Sequence, residues 1–231
     1  MLASALVPSA AVLIAVAIDA RMGEPPARWH PVVWMGNYLG RVGRAIAPQA
    51  GAPQPHAIGP FTLGAVAWCA GAMGVGLIAT GLQEALRALP TVAAALVMGL
   101  MLKPLMAWRM LRDEVAAVEQ ALAQSLDEGR ARLGLLVSRD VSTLDAAAVR
   151  EAAIETLAEN LNDSVVAPLF WFALGGLPGA ALYRYANTAD AMWGYLGARE
   201  GRDWTFAGRW AARTDDALSW VPARLTALLL C

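Results

Sequence analysis

The chain has 231 residues, of which 58% are hydrophobic and only 16% are charged. A soluble domain carries about 25% charged residues, so this composition argues against one. The net charge of -1 lacks the basic excess expected of a nucleic-acid-binding protein. Its two cysteines, Cys69 and Cys231, offer neither a disulfide framework nor a metal-binding spacing.

Long apolar runs separated by polar segments predict an all-α, polytopic membrane protein. The runs cover about 2–18, 58–82, 89–108 and 165–183, and a fifth begins near residue 217. We therefore expect about four to five membrane segments in one membrane domain, 1–231. The first run is interpreted as a retained helix. A signal peptide has basic residues before its apolar core, and none precede this run. The last run reaches Cys231 without a polar flank, which predicts C-terminal truncation.

A polar region, 109–164, is predicted to be a helical insertion outside the membrane. Val115, Val118 and Leu122 recur at helical spacing and predict a helix over 113–126. A second helix is predicted over 145–161, with Ser142 or Thr143 as its cap.

The arginines predict that the fourth apolar run, 165–183, does not cross the membrane as one straight helix. If it did, the arginines after residue 183 would lie opposite those of the earlier loops, against the positive-inside rule. The run also contains the helix-breaking segment 175–179, Gly-Gly-Leu-Pro-Gly. We therefore expect a broken or re-entrant helix, which returns the chain to the side it came from.

An acidic stripe is the clearest candidate for chemistry. Glu151, Glu155, Glu159 and Asp163 recur every four residues and are predicted to share a helix face. Like charges at this spacing repel, so we expect a cation to offset them. Mg²⁺ carrying nucleotide phosphates fits, because it takes carboxylate and phosphate oxygens. The alternative is a solvated acidic face.

Other polar motifs flank the apolar runs. In 137–142, Arg139 can hold a phosphate and Ser138 and Ser142 offer hydroxyls, although the segment can equally be a helix cap with a local ion pair. His30 is either a base acting with Asp19 or Glu24, or a structural histidine at the membrane interface. Four more candidates are Asn160, Asn187, Asp190 and Arg224.

Several nucleotide-binding and hydrolase motifs do not occur in the sequence. There is no G-x-x-x-x-G-K-[ST] loop, no G-x-G-x-x-G, no G-x-S-x-G and no H-E-x-x-H. These motifs therefore give no support to the corresponding enzyme classes. Because Lys103 is the only lysine, phosphate contacts are expected to fall mainly to arginines.

Taken together, the motifs resemble the adenosylcobinamide-phosphate synthase family (CobD/CbiB). The resemblance lies in Gly23-Glu24-Pro25-Pro26, His30-Pro31-Val32-Val33-Trp34-Met35-Gly36, Ser138-Arg139-Asp140-Val141-Ser142, Glu155 through Glu159-Asn160 to Asp163, Ala167-Pro168-Leu169-Phe170, Gly175-Gly176, Tyr183-Arg184 through Asn187-Thr188 and Asp190, and Pro222-Ala223-Arg224-Leu225-Thr226. These motifs span nearly the whole chain. One departure is Ser138, which stands where the family usually has glycine.

The resemblance implies an ATP-dependent enzyme that joins (R)-1-amino-2-propanol or its phosphate to cobyric acid, with ATP and Mg²⁺ as cofactors. It also implies a multi-pass protein of the cell inner membrane, with the lipid bilayer and other membrane enzymes of the pathway as partners. A membrane transporter or a membrane regulatory protein is the alternative.

Site roles within this reaction are hypotheses. The residues proposed for Mg²⁺ are Glu155, Glu159 and Asp163. The residues proposed for ATP or substrate are Arg139, Asp140, Ser142, Asn160, Arg184, Asn187, Asp190 and Arg224. The residues proposed to take the proton of the amine are His30, Asp19 and Glu24.

Overall fold

The computed structural model describes residues 2–51, 57–137 and 139–231, and it is almost entirely helical. The α-helices are α1 Leu2–Met22, α2 Pro31–Ile46, α3 Ile58–Leu86, α4 Thr91–Leu102, α5 Trp108–Gln124, α6 Leu126–Leu133, α7 Ala146–Leu161, α8 Ala167–Trp193 and α9 Arg209–Leu230. Short 3₁₀ turns cover Ala27–Trp29 and Lys103–Leu105, and a π-helical turn covers Asn162–Val166. Strands β1 Ala198–Arg199 and β2 Arg202–Asp203 pair antiparallel. Ser138, whose hydroxyl was a candidate ligand, lies outside the described residues.

Three stretches of the described chain are long and apolar enough to cross a membrane. They are Ile58–Leu86, Thr91–Gln124 and Ala146–Trp193. The predicted all-α membrane class is confirmed, whereas the predicted count of four to five segments is not. Along α3, large apolar side chains such as Leu63, Val66 and Leu77 face outward. In lipid such a surface is favourable, whereas in water it would expose a large apolar patch.

Helix α8 is broken at Gly176, as the sequence predicted. Gly176 has φ 62° and ψ -152°, a conformation that is essentially restricted to glycine. The chain then folds back, so that a methyl group on Gly179 would lie 2.2 Å from the carbonyl oxygen of Trp171. At the break, the Leu177 N–H donates to Gln83 Oε1 of α3 over 2.7 Å. We call residues 167–193 the α8 hairpin, and its two ends lie on the same side of the protein.

Helices α5, α6 and α7 form a small bundle with its own apolar core. Val118, Leu133 and Val149 are buried there, one from each helix. The cap of α7 is Asp145, whose side chain accepts from the Ala148 N–H over 2.8 Å. The prediction of Ser142 or Thr143 as the cap was wrong, because the helix begins one residue after Asp145 and the carboxylate reaches its third N–H.

Close backbone contact between α3 and the segment before α9 depends on Gly64. A methyl group at this position would lie 2.0 Å from the carbonyl oxygen of Ala207, which is backbone and cannot rotate away. We expect Gly64→Ala to lower the free energy of unfolding in detergent by about 2 kcal/mol, as overpacking typically does. Gly74→Ala in the same helix is the control, because a methyl group there meets nothing within 4 Å. Equal thermal stability of the two variants would contradict this prediction.

A cavity of about 630 Å³ opens beside the tip of the α8 hairpin, between α1, α3 and α4. Its lining includes Val7, Gln83, Arg87, Thr91 and Gly176. None of the predicted site residues that the structure describes is among the residues lining it. The predicted residues Asp163, Arg184 and Asn187 lie instead at the open end of the hairpin, where they contact one another.

Candidate active site

The π-helical turn Asn162–Val166 turns Asp163 into the protein. Asp163 Oδ1 accepts from Asn162 Nδ2 over 2.8 Å and from the Tyr183 hydroxyl over 3.3 Å. Its Oδ2 accepts from Asn187 Nδ2 over 3.1 Å. Asp163 lies inside this π-turn, whose hydrogen-bond spacing departs from the α-helical spacing that relates Glu151, Glu155 and Glu159. Asp163 consequently leaves the exposed stripe formed by Glu151, Glu155 and Glu159.

Arg184 joins the second arm of the α8 hairpin to the π-helical turn that precedes the first arm. Its Nη1 donates to the Asp163 carbonyl over 3.0 Å, to Ser164 Oγ over 3.3 Å and to Asn187 Oδ1 over 3.1 Å. These acceptors hold the guanidinium in one orientation. Its Nε is buried and has no hydrogen-bond partner among the residues the structure describes.

One face of helix α9 carries polar side chains that contact Tyr183 and Asn162. Ser219 Oγ lies 3.0 Å from the Tyr183 hydroxyl, and Thr226 Oγ1 donates to Asn162 Oδ1 over 3.1 Å. Asp215 lies on the same face and is buried. Burial, together with the neighbouring Asp163 and Asp190 carboxylates, raises the pKa of Asp215 to about 7.

A second group of charged residues lies where α1 and α4 end. Lys103 Nζ is 3.0 Å from Glu24 Oε2 and 3.4 Å from Asp19 Oδ1. Glu24 Oε2 also lies 3.0 Å from His30 Nε2. Asp19 and Lys103 are buried, whereas Glu24 and His30 are partly exposed and border the surface. The four side chains therefore form a continuous chain from the interior outward.

The two groups adjoin each other. The Ala107 N–H, four residues after Lys103, donates to the Ser164 carbonyl over 3.0 Å. Glu24 is also close enough to Arg184 to interact with it electrostatically. We call the combined set the buried polar cluster, and its members are Asp19, Glu24, His30, Lys103, Asp163, Arg184, Asn187 and Asp215.

Several buried polar atoms of this cluster lack a hydrogen-bond partner within the described ranges. They are Asp19 Oδ1, Glu24 Oε1, His30 Nδ1, Lys103 Nζ, Arg184 Nε and Asp215 Oδ1. Asp19 Oδ1 and Lys103 Nζ nevertheless face each other as an ion pair. Each such atom costs about 1–3 kcal/mol when it is left unsatisfied. Both donors and acceptors are represented, so the cluster suits a polar ligand that carries groups of both kinds.

Comparison with known proteins identifies the family. A family model described as CobD/Cbib protein matches residues 12–231. The chain is 40% identical over 224 residues to the probable cobalamin biosynthesis protein CobD of Pyrococcus abyssi, covering 94% of this chain and 70% of that protein.

The chain belongs to the CobD/CbiB family.

A bacterial relative gives the same result. The chain is 41% identical over 229 residues to the cobalamin biosynthesis protein CobD of Chromobacterium violaceum, with 93% of this chain and 66% of that protein covered. No solved structure matches the chain. Membership of the family places this CobD/CbiB protein in cobalamin biosynthesis.

Some predicted site residues of this CobD/CbiB protein lie outside the buried polar cluster. Arg139 Nη2 donates to Glu155 Oε2 over 2.8 Å, and both side chains are exposed. Glu159 is exposed on the same helix. Within the described ranges, no three acidic, histidine or cysteine side chains are grouped so that they could hold a metal ion. The structure therefore does not assemble the predicted set of Glu155, Glu159 and Asp163.

Five further predicted residues lie outside the cluster, and four of them make local contacts. The Ser142 N–H donates to Asp140 Oδ1 over 2.9 Å and holds the pKa of Asp140 below its usual value. Asn160 Nδ2 donates to the Thr156 carbonyl within α7. Arg224 is exposed, stacks on the Trp220 ring 3.6 Å from its centroid, and donates to the Trp220 carbonyl over 2.6 Å. Asp190 is partly buried and interacts electrostatically with Asp163.

The sequence prediction omitted several residues of the cluster. Its members Lys103 and Asp215 were not among the predicted site residues, and neither were Tyr183, Ser219 and Thr226, which adjoin it. Lys103 carried a usable signal, because an ionisable residue within an apolar run is commonly functional. The polar side chains of α9 also follow helical spacing. Their contacts with Tyr183 and Asn162 depend on how the helices pack, which the sequence pattern does not give.

Proposed function

We propose that the protein catalyses ATP-dependent formation of an amide bond between cobyric acid and (R)-1-amino-2-propanol or its phosphate. The observation that carries the proposal is the buried polar cluster, with its unpartnered donors and acceptors, in a member of the CobD/CbiB family. The proposed reaction needs a proton acceptor for an amine and fixed donors for a carboxylate. The cluster offers both within one region.

Glu24 and His30 are the proposed proton acceptors. The attacking amine must lose a proton, and a general base has to be within hydrogen-bond reach of it. If the His30 Nε2–H donates to Glu24 Oε2, the lone pair on Nδ1 is free to receive the proton. The carboxylate then stabilises the imidazolium that forms, as in other carboxylate–histidine pairs. Nδ1 is buried and has no partner within the described part of the chain, which leaves it free for the amine.

Arg184 and Asn187 are proposed to position the carboxylate or its activated form. A carboxylate is a poor electrophile, so activation as an acyl phosphate is the proposed route. When the amine nitrogen attacks, the new C–N bond forms and the C–O bond to phosphate breaks. Negative charge builds on oxygen during this step, and fixed donors stabilise it because they need no reorganisation. Asn187 lies beside Arg184, and its Oδ1 accepts a hydrogen bond from the guanidinium.

Mg²⁺ with ATP would be held by fewer protein carboxylates than a resident metal. Such a cation usually takes one or two carboxylates, with substrate phosphates and water completing its shell. Asp163 is the predicted metal ligand that lies in the buried polar cluster, so we propose it for this role. Bound there, the cation would neutralise phosphate charge. Glu155 and Glu159 are exposed on α7, which precedes the π-turn.

The test is an assay with the purified full chain, cobyric acid, aminopropanol phosphate, ATP and Mg²⁺. Release of ADP or AMP should require both substrates, and mass spectrometry should detect the amide product. Asp163→Asn should lower the rate by at least ~100-fold, as expected for a group that holds phosphate charge in place. Glu159→Gln should have a smaller effect, because its side chain is exposed.

Two outcomes would reject the proposal. Nucleotide hydrolysis that is independent of the amine would show that the activation step is not coupled to amide formation. Uptake of cobyric acid by reconstituted vesicles, without any amide product, would favour the transporter alternative.

A further inference from the structure

Lys103 is the only lysine of the chain and lies where the polar cluster enters the membrane helices. Its side chain is 5% exposed, and Nζ contacts carboxylates of two different segments, Asp19 and Glu24. Burying an ammonium group is costly unless it is paired, so this position needs its partners. Lys103 itself borders little solvent, which makes direct contact with a bulky substrate unfavourable.

Asp19 fixes Lys103 to the helical scaffold. Asp19 is fully buried, and its Oδ2 accepts from the Arg109 N–H over 2.8 Å at the start of α5. Its Oδ1 faces Lys103. One carboxylate therefore joins the end of α1, the turn after α4 and the beginning of α5. This arrangement gives Lys103 a fixed place.

Glu24, by contrast, lies on irregular backbone. It follows Gly23, whose φ of +68° marks a turn at the end of α1, and it precedes two prolines. No helix holds its side chain. The contacts that hold Glu24 Oε2 are the 3.0 Å approach of Lys103 Nζ and the 3.0 Å approach of His30 Nε2.

We propose that Lys103 is a positioning residue for the Glu24–His30 pair, an inference that rests on the proposed amide-forming reaction. Its charge holds Glu24 Oε2 in place, 3.0 Å from His30 Nε2. The His30 ring then carries its proton on Nε2 and presents the Nδ1 lone pair to the amine. During attack, the amine proton moves to Nδ1, and the nitrogen electron pair forms the bond to the acyl carbon.

The surroundings of Glu24 support this role for Lys103. Lys103 from the turn after α4 contacts Glu24, and Arg184 from the α8 hairpin interacts with it electrostatically. Asp19 from α1 contacts Lys103, and the side chain of Arg109 from α5 lies beside Gly23. Arg184 donates to three other acceptors, and Arg109 donates its side chain to Asp113. Lys103 is thus the cation in direct contact with Glu24.

The first test compares Lys103→Met, Lys103→Arg and the double variant Lys103→Met/Asp19→Asn. Lys103→Met should lower the rate of amide formation about 100-fold, the size of a general-base contribution, and Lys103→Arg should restore most of it.

The double variant separates positioning from simple charge balance. It removes the buried lysine and its buried counter-charge together, so it should fold even if Lys103→Met does not. If Lys103 positions Glu24, the double variant stays about 100-fold slow. Recovery of wild-type activity in the double variant would overturn the proposal, because Lys103 would then serve only to neutralise Asp19.

A spectroscopic test needs no turnover and remains informative if the proposed reaction is wrong. The chain has two histidines, His30 and His56, so ¹⁵N-histidine spectra can be assigned with His30→Gln. The wild type should show the Nε2–H tautomer of His30, and Lys103→Met should lose it. An unchanged tautomer in Lys103→Met would overturn the positioning role. A changed tautomer in a protein that forms no amide would reject the proposed function alone.

Discussion

Replacing Arg184 with methionine should lower the rate of amide formation by at least ~100-fold, the loss typical of removing one fixed donor from a charge-stabilising site. Arg184 Nη1 serves three acceptors, on Asp163, Ser164 and Asn187. Methionine fills a similar volume but donates to none of them. We also expect a loss of about 3 kcal/mol in stability, because buried acceptors would be left unsatisfied.

A matched pair of variants isolates the effect of Arg184. Arg184→Lys keeps the charge but lacks the planar fork, so it should recover only part of the activity. Arg87→Met is the control, because that side chain is 74% exposed and pairs with Glu84 at the surface, where an ion pair contributes little. Thermal unfolding and product formation should be measured for all three. Wild-type rates in Arg184→Met would remove this residue from the site.

Gly176→Ala should destabilise the protein by about 3 kcal/mol, since it forces a side chain into backbone angles that cost alanine 1–3 kcal/mol and adds a steric clash. The new methyl group would lie 2.3 Å from Gln83 Oε1, the acceptor of the Leu177 N–H. The variant is therefore also expected to weaken the hydrogen bond from the Leu177 N–H to Gln83 Oε1 at the break in α8.

The neighbouring glycine provides the control. A methyl group at Gly175 meets nothing within 4 Å, and its backbone is not in the left-handed region. Gly175→Ala should therefore unfold within about 0.5 kcal/mol of the wild type. Thermal unfolding in the same detergent is the measurement. If the two variants lose stability equally, the conformation of Gly176 is not what holds the hairpin.

The break in the α8 hairpin was predictable because two local signals agreed. The segment 175–179 contains residues that interrupt helices, and the distribution of arginines required the chain to return to one side. The hairpin in turn brings Asp163 within hydrogen-bonding distance of Tyr183, 20 residues later. The sequence identified Asp163, Arg184 and Asn187 as candidates, and the structure brings these three together.

The acidic stripe could be predicted only in part from the sequence. Four-residue spacing predicted that Glu151, Glu155, Glu159 and Asp163 share one face. The π-turn at 162–166 removes Asp163 from that face, and Arg139 pairs with Glu155. Spacing rules assume an unbroken α-helix, so an inserted π-turn changes their outcome. Such a turn is stabilised by tertiary contacts, including the Ala107–Ser164 hydrogen bond, that no local pattern reports.

The sequence by itself determined the class of the protein, most of its helices, the break in the hairpin and the family resemblance, because these depend on composition and on neighbours close in the chain. The tertiary structure decided which polar groups meet. Lys103 pairs with Asp19 and Glu24, which lie about eighty residues earlier in the chain. Such a pairing arises from helix packing, since a buried charge takes whichever opposite charge the packed helices place within reach.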